Sequence, residues 1–355
     1  MFGERLLRAR SSNGLSMKDL ANQVGLSANM IKKYEHGDSL PSSDILLKLA
    51  KALNLRVEYF FRPVKISLGQ IEYRKKANAS QKQLQCIKND VLDQVERWFD
   101  LSNQWPVFPV PNFSLPTCVP NLIQSLDEIE QLADNLRQEW QLGFDHITDL
   151  IDLLESRGIL VVVSNAVADG SVDGLQMHAN HKPILVVSGH VSGDRQRFTL
   201  AHELAHLLIH GHLAENIDEE KACHRFASAF LLPAIALHQR LGNRRHNIEL
   251  QELYLLKHEF GISMSACAYR AKELGIINES LHKRIMIKFS KNKWRQQEPG
   301  EAYPQEKTTF FRQLVFRALA EEIVSDSKAA ELLGISLIEL RQVRKLELLN
   351  AAFNQ

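Results

Sequence analysis

Apolar residues recur every three or four positions along most of this chain, and a few short regions break that rhythm. In residues 17–23, Leu20 and Ala21, followed by Val24, form the stripe of an amphipathic helix. Gly25 supplies a turn that residues with a Cβ resist, Leu26 sits beneath it, and Ser27 is placed to cap a second helix over 28–35 that buries Ile31 and Tyr34. Helical spacing returns at Leu84, Ile87, Val91, Val95 and Trp98, after an alternating stretch, VKISLGQIEYRKK, that predicts a strand. A helical pair is expected over 122–141 and 146–157. Beyond Gly158 the pattern changes. ILVVVSNA, VDGLQMHA and KPILVVSG predict three strands, the last two joined by a turn at Asn180 and His181. The next segment, FTLAHELAHLLIH, reads as a buried helix with Phe198, Ala201, Leu204, Ala205 and Leu208 inward, Asp194 as its cap and Gly211 at its end. A further helix, within NIDEEKACHRFASAFLLP, is closed by Pro233. The expected fold is multidomain, mainly α with a small sheet.

Two stretches lack this periodicity. Pro106, Pro109, Pro111, Pro116 and Pro120 crowd one segment, which reads as an extended, semi-rigid connector, and residues 291–309 are polar and read as a linker. Beyond them, Ala330, Gly334 and Ser336 repeat the spacing of Ala21, Gly25 and Ser27, with a partial third copy at Gly261 and Ser263. The boundaries that follow are 1–65, a strand, helix and connector at 66–120, a central domain at 121–290 and a C-terminal helical module at 300–355. Docking or dimerisation suits that last module better than DNA binding.

With 355 residues, 45% of them hydrophobic and 24% charged, the chain has the composition of a protein with several cores. No apolar run reaches membrane-spanning length, and the opening residues lack a secretory h-region, so a cytoplasmic location is expected. Its four cysteines are scattered and form no C-x-x-C pair, which fits reduced thiols. Net charge is +1, but residues 1–65 carry eleven Lys/Arg against six Asp/Glu, whereas 300–355 carry seven against eight. The positive N-terminal block points toward nucleic acid.

The central helix holds the candidate chemistry. His202 and His206 stand one turn apart, so both imidazoles point the same way and can grip one zinc ion. Glu203 lies about 100° round the helix, where it can take the proton of a metal-bound water. A third ligand is required, and the next helix offers Glu220 first and Glu219 second. His224, one turn beyond Glu220, suits support of a ligand or a place near the substrate. Cys223 is set aside, because thiolate ligation would leave the carboxylate without a role. His210 and His212 are expected in solvent at the helix end.

These motifs resemble two known families. LSMKDLANQVGLSANMIKKYEHG and the following LPSSDILLKLAKAL are similar to the XRE, or Cro/repressor-like, helix-turn-helix family over residues 4–60. The resemblance implies that the second motif helix enters the major groove of an operator. Ser27, Ala28, Asn29 and Lys32 would then face bases, with Lys33 and Lys18 placed for phosphates. RQRFTLAHELAHLLIH, EKACHRFASAFLLP and FGISMSACAYRAKELGII are similar in order to the ImmA/IrrE family of zinc metallopeptidases over about residues 120–290. That resemblance implies an α+β zincin-like domain holding Zn2+ through His202, His206 and a glutamate, with Glu203 as base. The expected function is a DNA-binding transcriptional regulator carrying a zinc endopeptidase that cleaves a regulatory protein, such as a helix-turn-helix repressor or a toxin, or itself. Alternatives are a regulator with a catalytically silent metal- or ligand-sensing domain, and an antitoxin-type regulator of a neighbouring toxin. A homodimer is the expected assembly.

Overall fold

The computed structural model describes residues 2–62, 80–166, 173–180, 182–295 and 297–346. The strand expected over 64–76 lies outside the described residues.

The N-terminal block comprises α1 (Phe2–Ser12), α2 (Met17–Val24), α3 (Ala28–His36), α4 (Ser43–Ala52) and a 3-10 turn at Val57–Phe61. Leu6, Leu20, Ile31, Leu49 and Phe60 are fully enclosed at its centre. Gly25 has φ +72°, and the Ser27 hydroxyl accepts the Met30 N–H, as the local pattern requires. α1 crosses the end of α3 closely, because a Cβ on Gly3 would fall 2.2 Å from the Glu35 carbonyl oxygen.

A long helix, α5 (Gln81–Ser102), starts in a capping box at Ser80 and buries Ile87, Val91, Val95 and Trp98. It also carries the N-terminal block. Its Glu96 pairs with Arg5 and, at 2.8 Å, with Arg8, all three being largely shielded from water. The proline-rich segment that follows is extended, but it is no free linker. Trp105 and Val110 are buried, Phe108 meets Trp98 edge-on at 5.6 Å, and Pro111 lies against the turn at Gly158. Its apolar residues, interleaved with prolines, give no periodic signal, yet they find a core.

The central region contains α6 (Leu126–Glu139), α7 (Leu150–Ser156), β1 (Leu160–Ser164), β2 (Gly174–Ala179), β3 (Lys182–Ser188), α8 (Gly193–Ile209) and α9 (Glu219–Leu231). Both α6 and α7 begin later than the apolar spacing suggests, where Ser125 and Asp149 cap them. Sheet order is β1-β3-β2, with β1 parallel and β2 antiparallel to β3. Val161, Leu185 and Val187 face α6, α8 and α9, whereas Leu160, Val162, Met177 and Val186 face α5 and the C-terminal helices. Coverage of both faces explains why β1 and β3 read as continuous apolar runs.

α10 (Ala234–Leu241), α11 (Leu250–Phe260), α12 (Met264–Glu273) and α13 (Glu279–Lys291) enclose a separate core around Phe260, Cys267 and Phe289. The last helices are α14 (Phe310–Ala320), α15 (Asp326–Leu333) and α16 (Leu337–Arg344).

Residues 297–309, expected as a polar linker, form a docked strap instead. The Glu298 carboxylate accepts the Met264 and Ser265 N–H groups at 2.9 and 3.0 Å and binds Lys257. Glu306 accepts the Leu150 and Ile151 N–H groups at 2.9 and 3.0 Å and pairs with the fully buried Arg197. The strap is polar because its carboxylates satisfy the open amides at helix N-termini, where negative charge is favoured. It also alters the start of α8. Asp194 is not the cap; Ser192 holds that position without a side-chain bond, and the Gly193 N–H donates to the Tyr303 carbonyl at 3.1 Å.

Candidate metal centre and nucleic-acid interface

α8 and α9 pack against each other below the sheet, and their facing turns bring the expected residues together. Alanine and leucine positions on α8 are fully buried, which fixes its rotation and turns His202 and His206 toward α9. The two rings are 4.8 Å apart and nearly perpendicular. Asp218 caps α9 by accepting the Lys221 N–H, so Glu219 and Glu220 occupy its first turn and point back at α8.

The Glu220 carboxylate bridges both histidines. One oxygen is 3.6 Å from His202 Nε2 and the other is 3.5 Å from His206 Nε2. Donor atoms held about 2.0–2.2 Å from a shared tetrahedral centre stand about 3.3–3.6 Å apart, and both Glu220–histidine distances fall in that range. Glu219 takes a different position. Its Oε1 lies 2.9 Å from His206 Nδ1, where it can accept that N–H and leave the Nε2 lone pair directed at Glu220.

Cys223 comes closer than its sequence context suggests. Ligand atoms of His202, His206 and Cys223 lie within 4.8 Å of one another, so a His-His-Cys set is geometrically open. Its sulfur approaches His206 at Nδ1, 3.3 Å away, the same nitrogen that Glu219 engages. The carboxylate set uses the two Nε2 atoms and leaves the Glu219 bond intact. The thiolate set competes with that bond. A carboxylate and a thiol therefore both stand within reach of the histidine pair.

Around this trio, the His224 ring stands 4.7 Å from His202 and 5.7 Å from Phe198, bracing the His202 ring. Glu203 is half-buried, and its Cγ would lie 3.5 Å from a Cβ on Gly174. The same Cβ would strike Thr199 at 2.3 Å, so glycine lets the first residue of β2 close on α8 beside Glu203. Periodicity alone could not reveal that approach. His210 is exposed as expected, but His212 is not in open solvent, because its Nδ1 lies 3.0 Å from the Pro120 carbonyl oxygen. The connector captures it.

At the other end of the molecule, Lys18, Ser27, Ala28, Asn29, Lys32 and Lys33 are all exposed. Ala28, Asn29 and Lys32 share the open side of α3, with no acidic residue in its first turn. The Ser27 hydroxyl already accepts the Met30 N–H at 3.2 Å, so it shapes the helix start before it offers anything to a base.

Comparison with known proteins agrees with these two halves. The family described as Helix-turn-helix matches residues 6–60, and the family described as IrrE N-terminal-like domain matches residues 154–272. The chain thus joins an XRE-type helix-turn-helix domain to an ImmA/IrrE-like domain. It is 37% identical over 59 residues to a transcriptional regulator in the ATPase CF(0) region of Rhodospirillum rubrum, covering 17% of this chain and 55% of that protein. It is 34% identical over 55 residues to the cryptic phage CTXphi transcriptional repressor RstR of Vibrio cholerae, covering 16% and 49%. Over 62 residues it is 34% identical to the SPbeta prophage-derived HTH-type transcriptional regulator YonR of Bacillus subtilis, covering 18% and 57%. Among such curated relatives, the chain spans from 28% to 57% of their length. No described helix is long and apolar enough to cross a membrane.

Proposed function

We propose that this chain is a DNA-binding transcriptional regulator whose ImmA/IrrE-like domain is a zinc-dependent endopeptidase acting on a regulatory protein or on the chain itself. The observation that carries the enzymatic half is the Glu220 carboxylate lying 3.5 and 3.6 Å from the two Nε2 atoms; Glu203 follows His202 on α8 and lies against β2 at Gly174.

In this reading His202, His206 and Glu220 hold the ion. When bound, zinc supplies a Lewis acid that polarises the scissile carbonyl and makes water acidic enough to lose a proton near neutral pH. Glu203 accepts that proton at its carboxylate and delivers it to the departing amine nitrogen. Glu219 keeps the His206 ring in one orientation and tautomer. A peptide substrate lies extended along β2, which has β3 as its strand neighbour among the described strands and brings Gly174 to Glu203. A helix-turn-helix repressor or a toxin suits that role, and a homodimer suits a palindromic operator. On the DNA side, Ala28, Asn29 and Lys32 face bases while Lys18 and Lys33 meet phosphates, with Ser27 setting the helix start.

The sensor reading draws on Cys223, since a buried thiol 3.3 Å from His206 could ligate a metal without any need for Glu203. Glu203→Gln separates the two. Under the proposal, the variant retains zinc and loses signal-dependent control of a reporter driven by the chain's own promoter. Unchanged reporter control with zinc retained would overturn the proteolytic mechanism and leave the sensor.

A further inference from the structure

A second site lies on the opposite face of the sheet from the histidines. A cleft of about 160 Å³, partly open to solvent, lies between α5, β1, α7 and the end of the strap. Cavities that stay dry are apolar, whereas polar ones take up water or another guest. This one is lined by three residues with buried polar atoms that have no hydrogen-bond partner among the described residues: Glu155 Oε2, Trp98 Nε1 and Arg97 Nε. Glu155 and Trp98 are only 3% and 4% exposed, so water does not reach them freely. A buried polar group left unsatisfied is costly, so a guest that pairs with several of these atoms at once gains by it.

The polar atoms define the guest. Trp98 and Arg97 offer N–H donors, and the Arg97 charge is balanced at 2.6 Å by Asp93. The Glu155 carboxyl accepts the Val161 backbone N–H, which holds it in place while Oε2 remains open. Leu160, Val162 and Phe311 supply apolar wall. A free cation would meet the Arg97 guanidinium, and a free anion would have to compete with the Asp93 carboxylate that already balances it. An uncharged group with a donor and an acceptor side by side meets both demands.

We propose that this cavity binds a small molecule bearing a primary carboxamide on a compact apolar body, its amide pairing with the Glu155 carboxyl and accepting from Trp98 or Arg97. Burial, with Asp152 adding to it, pushes the Glu155 carboxyl well above the usual carboxylate range. The volume suits about six heavy atoms, close to a void that accepts benzene. The site touches both other parts of the molecule. Glu96, adjacent to Arg97, grips Arg5 and Arg8 of the N-terminal block. Glu155 ends the helix whose first N–H groups are held by Glu306, the partner of Arg197 in α8.

The test uses three probes of one shape, isobutyramide, isobutyrate and isobutylamine, with the full chain labelled for detection of the four tryptophan indole N–H signals. The Trp98 signal is assigned by its loss in Trp98→Phe. Isobutyramide should shift that signal saturably, and the two charged probes should bind at least tenfold more weakly. Glu155→Leu should stay folded, melt at or above the wild-type temperature because an unsatisfied carboxyl is gone, and lose the amide response at least tenfold. Glu155→Gln should keep it within a few-fold. No saturable shift with isobutyramide, equal binding of a charged probe, or undiminished binding by Glu155→Leu would each overturn the proposal. The wild-type probe comparison decides it even if a variant fails to fold.

Discussion

The N-terminal and C-terminal helix pairs are built from the same turn and are used differently. Between α2 and α3, Gly25 has φ +72° and Ser27 caps the second helix; between α15 and α16, Gly334 has φ +69° and Ser336 does the same. A third instance joins α11 to α12 through Gly261 and Ser263. The surroundings diverge. α3 opens with Ala28 and Asn29 and carries Lys32 and Lys33 outward, with no acid in its first turn. α16 has Glu339 in its first turn, locked in a capping box, and exposes Ile338. Carbonyls around its turn are occupied, since Ile335 and Glu331 accept from Arg56 and Arg62 of the N-terminal block at 2.9 Å. The lesson is that Gly and Ser fix the backbone of the turn, while charge at the start of the second helix decides whether it suits phosphate. One copy faces outward and the other serves as a bracket.

The contrast can be broken most forcefully at the joint. Glu96→Ala removes the carboxylate shared by the buried Arg5 and Arg8, leaving Arg8 with Glu4, and should cost about 3 kcal/mol by denaturant titration, as removal of one member of a buried pair does. Loss below about 1 kcal/mol would show that the N-terminal block is not held there. Next comes the outward face. Lys32→Glu combined with Lys33→Glu should weaken binding to duplex DNA about 100-fold at moderate salt, whereas Arg341→Glu in α16 should leave it within two-fold. Equal losses from both helices, read by fluorescence anisotropy, would make the C-terminal pair a DNA reader too. Smaller still are the turns themselves. Gly25→Ala and Gly334→Ala should each lower stability by about 1 kcal/mol, because both force a Cβ into left-handed backbone. The least effect belongs to the exposed Arg344–Asp326 pair, where Arg344→Ala should cost no more than about 0.5 kcal/mol.

A pH experiment sharpens the picture of the central sheet. Glu155 has its folded-state proton affinity raised by burial, first, and by Asp152. A raised carboxyl makes the folded state bind more protons than the unfolded one, so its contribution favours folding at low pH and is lost as pH rises from the ordinary carboxylate range up to the raised folded-state value. Glu155→Gln should therefore be more stable than wild type at pH 7 and show a shallower decline between pH 4 and 7, measured by thermal melts across that range. An unaltered slope would mean that Glu155 is ionised in the folded chain.

Much of this was legible in the residues because the signals are local. The α2–α3 turn needs Gly and Ser within three positions, and the histidine pair needs only one helical turn. Glu220 was legible because the next helix begins with acids. What escaped the sequence depends on long-range partners. Glu306 looks like a solvated linker residue, yet its contacts are Leu150 and Ile151, 156 and 155 positions away. The proline-rich connector hides Trp105 and Val110 in a core that no periodicity marks. Asp194 was the more attractive cap by residue type, but the strap at Tyr303 occupies that end of α8. Cys223 looked dispensable, and only its burial against His206 shows that it competes for the same ring.

That competition selects the decisive measurement. Under the proposed function Glu220, with the two histidines, completes the ion's protein ligands and Cys223 does not. Elemental analysis of purified wild type, Glu220→Ala and Cys223→Ser should give about one zinc per chain in the first and third and a large loss in the second. Zinc retained by Glu220→Ala but lost from Cys223→Ser would contradict it.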